Sequence, residues 1–334
     1  MSMPPFSAQT EAVGCLLASP ERLAHALLLR GSRGIGKAAV AAALAKGLLC
    51  ENPADPRGRG LACGHCASCR WFDAGNHPDV RTIGLLVKDG KDASEISINQ
   101  IRELEDFIGM SAFRDGARIV LVDPAESMSV PAANALLKML EEPGRRTYFL
   151  LVTHRPDSLP ATVRSRCRSV AVPAPDSAEQ QAWLAAEAGI PPAEAARLLA
   201  LTGGSPLHAR HLADPARLTA YRSLLEAIGS LPDTPSVAVA DVVAGAETAH
   251  WYSLLQRWTS DLARVCAGAA PRFFPESAPR MQQLCRRCSL AGLTRAAARL
   301  QRQAVLIRHP LNPRLFVEES LALYLEAFES SRQG

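Results

Sequence analysis

No stretch of this 334-residue chain approaches the roughly 20 consecutive apolar residues that a membrane-spanning helix needs. Residues Met1 to Thr10 contain no Lys or Arg ahead of an apolar core, so no secretory leader is expected and a cytoplasmic location follows as the default. Tandem repeats and low-complexity tracts are also missing. Charge of one sign is in short supply: the net charge of +4 is too small to argue for nucleic-acid binding. Its distribution is less even, since Arg280 to Arg314 holds eight arginines and no Asp or Glu. That pattern reads as a solvated or interface-facing helical surface, with direct contact to nucleic acid as the alternative. What is present, 48% hydrophobic and 21% charged residues, describes an ordinary globular protein with length for two or three domains.

Apolar patterning divides the chain. His25–Leu29 reads as a buried strand, followed by a Gly-rich turn and an Ala-rich helix from about Lys37 to Cys50. Val80–Leu86 is a second short apolar run. Ser97–Met110 fits a helix with Ile98, Ile101, Leu104 and Ile108 on one face. Arg118–Val122, Tyr148–Thr153 and Arg168–Val172 read as further strands. Ser129 is an N-cap for a helix with Val130, Ala133, Leu137 and Leu140 on one stripe, and Pro143 stops it. Strands that are apolar throughout and alternate with helices predict a parallel α/β sheet covered on both faces. Pro173–Ser177 has linker composition, and almost only helices follow. The predicted division is 1–173, 174–213 and 214–334.

Gly31-Ser-Arg-Gly34-Ile-Gly36-Lys37 follows a strand and opens a helix, the context a phosphate loop requires. Its glycines let backbone N–H groups curl around phosphate oxygens, and Lys37 reaches the terminal phosphates. The next position calls for a Ser or Thr whose hydroxyl binds magnesium. Here it is Ala38. Asp123, ending the apolar strand Arg118–Val122, and Thr153, ending another strand, complete the nucleotide-binding candidates. The site is read as vestigial, with nucleotide binding left open and no magnesium catalysis expected.

Nine cysteines in a chain of this type argue for metal or redox chemistry before disulfides. Cys50, Cys63, Cys66 and Cys69 have the spacing C-x12-C-x2-C-x2-C, which lets four thiolates converge on one tetrahedral zinc and predicts a structural site. His65, inside the knuckle, is expected to be exposed and not a ligand. Cys285-Arg-Arg-Cys288 lies in a helical pattern with Cys266 19 residues away, and is read as structural. Cys15 is expected to be buried.

Taken in order, these segments resemble the clamp-loader AAA+ subunits of bacterial DNA polymerase III over nearly the full length, loosely in the last quarter. The resemblance rests on the Gly31–Lys37 loop, the four-cysteine insert after the loop's helix, and Asn76-His-Pro-Asp79. It continues through Ile98-Asn-Gln-Ile-Arg102, Asn134-Ala-Leu-Leu-Lys-Met-Leu-Glu-Glu-Pro143 and Arg164-Ser-Arg-Cys167. It implies an AAA+ P-loop core with a zinc module at about 50–70, a small helical lid and an all-α collar. The family holds ATP-hydrolysing subunits, gamma and tau, and a catalytically silent one. Active members carry Glu after the strand-ending acid, where this chain has Pro124. They also carry a sensing Arg after a Gly-Ser pair, where it has Leu207. Ala38 and Pro124 therefore favour the silent type. The resemblance further implies that Arg166 acts in trans as an arginine finger on a neighbour's ATP. The implied partners are gamma or tau and delta, with the beta sliding clamp and primed DNA reached through the complex. Two rival readings remain: an active gamma-type ATPase, and a free-standing zinc-knuckle DNA-binding protein.

Overall fold

The computed structural model describes residues 6–53, 61–88, 91–93, 95–109, 116–308 and 312–329. The chain divides into two compact units, residues 1–183 with 205–207, and residues 184–204 with 208–334.

The first unit is built on a five-stranded sheet of β1 (Ala26–Arg30), β2 (Val80–Ile83), β5 (Arg118–Val122), β6 (Thr147–Thr153) and β7 (Arg168–Ala171). The strand order is β2-β5-β6-β1-β7 and every pairing is parallel. A short antiparallel hairpin, β3 (Val87–Lys88) and β4 (Lys91–Asp92), stands apart from it. Helices α1 (Ser7–Leu17), α2 (Lys37–Leu49), α3 (Ala67–Asp73), α4 (Ile98–Gly109), α5 (Val130–Glu141) and α6 (Ala161–Arg166) surround the strands.

Successive side chains of a strand point to opposite faces, so each apolar strand feeds two cores. Leu27, Leu29, Ile119, Leu121, Leu150 and Val152 pack with Val13 and Leu17 of α1 and with Val40, Ala41 and Leu44 of α2. Ala26, Leu28, Val120, Val122, Phe149 and Leu151 pack on the other side with α4 and α5. Gly47 lets α1 approach α2 closely, because a Cβ there would stand 2.3 Å from Leu17 Cδ1.

The expected strands and helices form within a residue or two of their expected ends, Met110 lying outside the described residues, and the apolar run Val80–Leu86 is a strand only as far as Ile83. Ser129 caps α5 as anticipated, its hydroxyl accepting from the Ala132 N–H at 3.3 Å. Two helical faces differ from expectation. On α4 the buried apolar residues are Ile101, Leu104 and Phe107, with Ile98 and Ile108 only half-buried. On α5 they are Ala132, Ala133, Leu136, Met139 and Leu140, while Val130 is 69% exposed. Val130 belongs to the first turn, before the helix axis has carried its stripe over the sheet.

The second unit is helical. It takes the C-terminal part of α7 (Ser177–Ala188), α8 (Pro192–Leu201) and all but the start of α9 (Pro206–Leu212). It continues with α10 (Pro215–Gly229), α11 (Ser236–Ala244), α12 (Thr248–Cys266), α13 (Ala278–Cys285), α14 (Leu290–Gln303) and α15 (Pro313–Glu329). Trp251, Tyr252, Trp258 and Leu262 of α12 meet Leu293 and Leu300 of α14 and Phe316 and Tyr324 of α15 in the interior. Two of its aromatic residues pair their buried polar atoms, as burial favours, whereas Trp251 Nε1 has no hydrogen-bond partner among the described residues. Trp258 Nε1 donates to Tyr324 Oη at 3.0 Å, and Tyr252 Oη donates to the Leu300 carbonyl at 2.6 Å.

Four arginines of the acid-free run find acids from other elements: Arg280 and Arg287 meet Asp233, Arg299 meets Glu326, and Arg314 meets Asp241 and Glu318. The one-sided charge of the linear window is thus partly neutralised in the folded unit.

Candidate functional site

The Gly-rich loop joins β1 to α2, and its backbone needs the glycines. Gly34 and Gly36 have φ of +76° and +98°, conformations that cost an L-residue with a Cβ. Lys37 is only 6% exposed, and its Nζ donates to the loop's own Ser32 carbonyl at 2.7 Å. Burial lowers its pKa, while the carboxylates of Glu126 and Asp123 oppose that shift. Burial in turn raises the pKa of Asp123, with Lys37 pulling the other way. Lys37 and Asp123 therefore act on one another electrostatically. Ala38, in the first turn of α2, has no side-chain hydroxyl to offer the loop.

Four further residues belong to the loop's surroundings. Gln9 of α1 is buried, and its amide donates to the Ile35 carbonyl at 2.5 Å and to the Pro173 carbonyl at 3.2 Å. Its Oε1 would stand 3.0 Å from a Cβ at Gly36, so α1 backs the loop directly. Glu126, three residues beyond Asp123, is buried and pairs with His154, Oε1 to Nδ1 at 2.5 Å. Burial works against its ionisation, but the hydrogen bond and charge of His154 hold its pKa down at about 2. Thr153 is buried at the end of β6 beside Arg30 in register, and its hydroxyl accepts from the Arg155 N–H at 3.1 Å. Leu207 donates its N–H to the Gly34 carbonyl at 3.2 Å, which puts it against the loop. Sequence reasoning missed Gln9 and Glu126. A lone Gln in a helix carries no periodic signal, and Glu126 lies in a short turn after a strand, where acids are commonplace.

The four cysteines come together. Cys50 ends α2, Cys66 caps α3 and Cys69 lies in its first turn. With Cys63, all four Sγ atoms lie within 4.8 Å of one another. Four thiolates about 2.3 Å from a tetrahedral zinc stand about 3.8 Å apart, so the donor set and its spacing fit such an ion. Backbone N–H groups point at the sulfurs: Cys63 to Cys50 at 3.2 Å, Cys66 to Cys63 at 3.4 Å and Cys69 to Cys66 at 3.4 Å. Such donors favour thiolates. The hydrogen bond from the His65 N–H leads the causes that bring Cys63 down to about 6, whereas burial raises Cys50 and Cys69. Gly64 has φ of +79° between the ligand residues, and His65 is exposed as expected.

A buried polar relay ties this module to the sheet. Ser68 Oγ donates to the Leu49 carbonyl at 2.7 Å and contacts His77 Nε2 at 2.9 Å, while His77 Nδ1 accepts from the Asp79 N–H at 3.1 Å. With the serine proton committed to Leu49, His77 is assigned as the Nε2–H tautomer. Burial lowers its pKa, which favours that neutral form.

Arg166 ends α6 at the surface. Its side chain is 35% exposed, forms an ion pair with Glu141 at the end of α5, and donates to the Thr162 carbonyl at 2.9 Å. Neighbouring Arg164 pairs instead with Asp157 at 2.9 Å.

One cysteine reading is corrected: Cys15 is exposed, not buried. Cys285, read as structural, is disulfide-bonded to Cys266, although the cysteine usage argues for metal or redox chemistry before disulfides. The turn between α12 and α13 closes the 19-residue gap that separates them in sequence.

A Gly-rich strand-to-helix loop after β1 of a parallel α/β sheet, with Asp123 following β5 on the far side of β6, is the arrangement of the P-loop class. Residues 16–176 match the family described as "DNA polymerase III, delta subunit". The chain is 45% identical over 190 residues to the DNA polymerase III subunit delta′ of Pseudomonas aeruginosa, covering 57% of this chain and 56% of that protein. It is 34% identical over 232 residues to the delta′ subunit of Escherichia coli, covering 69% and 63%. The tau subunit of Escherichia coli is 38% identical over 148 residues, covering 44% and 21%. The matches thus span between about half and two thirds of the delta′ relatives' length.

Proposed function

We propose that this chain is a delta-prime-type clamp-loader subunit that hydrolyses no ATP itself and assists loading of a sliding clamp onto primed DNA. The observation that carries this reading is a phosphate loop complete through Lys37 but followed by Ala38, in a site where Pro124 follows Asp123. Without a magnesium-binding hydroxyl or a water-orienting carboxylate at those positions, charge gained during phosphoryl transfer goes unstabilised. Lys37, turned onto Ser32, supports the same reading, as does similarity to two delta′ subunits.

On this reading the subunit contributes to catalysis in trans. Arg166, exposed at the end of α6, presents a planar guanidinium to the γ-phosphate oxygens of ATP held by a gamma or tau neighbour. Residues 174–213 act as a lid and 214–334 as the collar that joins subunits, delta included. The four cysteines hold one structural zinc that closes the module after α2 and has no part in the chemistry.

Steady-state ATPase of the isolated chain tests the central claim. The expected result is no turnover above background, with weak nucleotide binding allowed. Turnover at the rate of an ordinary ATPase subunit, abolished by Lys37→Ala, would return the chain to the gamma type.

A further inference from the structure

The helical unit carries a second sulfur cluster, separate from the four-cysteine module. Cys266 closes α12 and Cys285 closes α13. Their Cα atoms are 5.2 Å apart and their sulfurs are bonded. Cys288, in the turn before α14, places its Sγ 3.8 Å from that of Cys266. All three residues are partly exposed, so a small reagent can reach them. A free thiol next to one sulfur of a disulfide is the arrangement from which exchange proceeds.

We propose that Cys266, Cys285 and Cys288 form a thiol–disulfide exchange site, opened by low-molecular-weight thiols and closed through either of two pairings that share Cys266. In the internal step the Cys288 sulfur attacks Cys266. A Cys266–Cys288 bond forms, the Cys266–Cys285 bond breaks, and Cys285 leaves as a thiolate that takes the proton Cys288 released. No electrons are gained or lost. In the opening step one external thiolate attacks Cys285, giving a mixed disulfide and releasing Cys266, which is protonated. A second external thiol resolves the mixed disulfide, so two thiols become one small disulfide and the protein gains two thiols. Closing reverses this with the small disulfide as oxidant. Burial pushes the Cys288 thiol up to about 11, which makes it a slow attacker at neutral pH.

The bond closes a segment that lines a cavity. The enclosed segment, residues 267–284, supplies Glu276, Ser277 and Arg280 to the lining of a cavity of about 440 Å³ that also contacts Arg197 and Trp258. Its backbone has a second anchor in the buried Asp261 carboxylate, which accepts from the N–H groups of Arg272, Phe273 and Phe274 at 2.7–2.9 Å. Opening the disulfide therefore loosens the segment without releasing it.

The test is peptide mapping of the full chain. Free thiols are blocked with iodoacetamide, and trypsin, cutting after Arg286 and Arg287, separates Cys285 from Cys288. Wild type should yield the Cys266–Cys285 peptide pair, and excess reduced glutathione should make both residues alkylatable. Cys285→Ser, treated with oxidised glutathione, should yield a Cys266–Cys288 pair, and Cys288→Ser should keep Cys266–Cys285. Circular dichroism checks that each variant is folded. The proposal is overturned if folded Cys285→Ser leaves Cys266 alkylatable with no link to Cys288. A Cys285–Cys288 link in Cys266→Ser also overturns it, because both pairings must share Cys266. So does a wild-type disulfide that resists reduced glutathione until the protein is unfolded.

Discussion

Arg166 and Glu126 show how differently two charged side chains can be employed. The Arg166–Glu141 pair is partly exposed, and such pairs contribute roughly 0–1 kcal/mol. It can hold the guanidinium in place yet release it to a stronger partner. Arg166→Ala should therefore leave stability and assembly unchanged while lowering ATP hydrolysis by the assembled loader by about one site's turnover. A finger contributes roughly 10³–10⁵ in rate at its own site. Arg166→Lys should rescue poorly, since an ammonium lacks the planar fork. Equal effects from Arg164→Ala, Arg166→Ala and Arg168→Ala, or failure of Arg166→Ala to assemble, would reduce Arg166 to an interface residue. Glu126, by contrast, is a buried charge whose pKa falls from 4.5 to about 2 on folding. A depressed carboxyl stabilises the fold fully above pH 4.5, and that contribution disappears as pH falls towards 2. The amount is roughly 3 kcal/mol. Urea unfolding between pH 5 and pH 2 should show a shallower pH dependence in Glu126→Gln than in wild type. Identical slopes would mean that another group controls acid stability.

Among the elements, the cysteine module after α2 is the one whose order would depend on an ion if its four sulfurs hold the proposed zinc. Its sulfurs are brought together by the end of one helix and the first turn of another, with little apolar burial apart from Phe72. Purified protein should carry close to one zinc, and the double variant Cys66→Ser, Cys69→Ser should carry almost none. Elemental analysis decides, and undiminished zinc in the variant would refute the ligand set. Loosening should stay within residues 50–80, visible as faster amide exchange there. The two cores flanking the sheet draw on β1, β5, β6 and α2, and their apolar contacts persist without the metal. The module was legible in the sequence because two-residue gaps between cysteines impose local geometry. The apolar faces of α4 and α5 were legible only in part. Periodicity gives the stripe, but which turn reaches the sheet depends on where the helix axis crosses it, as exposed Val130 shows.

For the whole molecule, the matter to be settled is assembly. The second unit has its own aromatic core around α12, and its arginine-rich stretch is balanced in part by Asp233, Asp241, Glu318 and Glu326. A large uncompensated basic surface would favour autonomous, steeply salt-dependent DNA binding. The partial neutralisation argues against such a surface. Mixed with gamma or tau and delta, the chain should enter a stoichiometric complex on size-exclusion chromatography. Retention as a free species, together with salt-sensitive affinity for duplex DNA, would support the zinc-knuckle reading.

The sequence by itself determined the parallel α/β core, the phosphate loop, its missing hydroxyl at Ala38 and the four converging cysteines. Each of those features is written in contiguous residues or short fixed spacings, and local geometry follows from them directly. Only the tertiary structure decided that Lys37 rests on Ser32, that Gln9 backs the loop and that Glu126 is buried against His154. It alone joined Cys266 to Cys285 and set Asp233 opposite two arginines. These pairings span from 5 residues, for Lys37 and Ser32, to 54, for Asp233 and Arg287. No periodic pattern marks either partner of such a pair. They exist because packing the helices on the sheet and on one another brings distant side chains into a low-dielectric interior or a shared turn, where proximity fixes their chemistry.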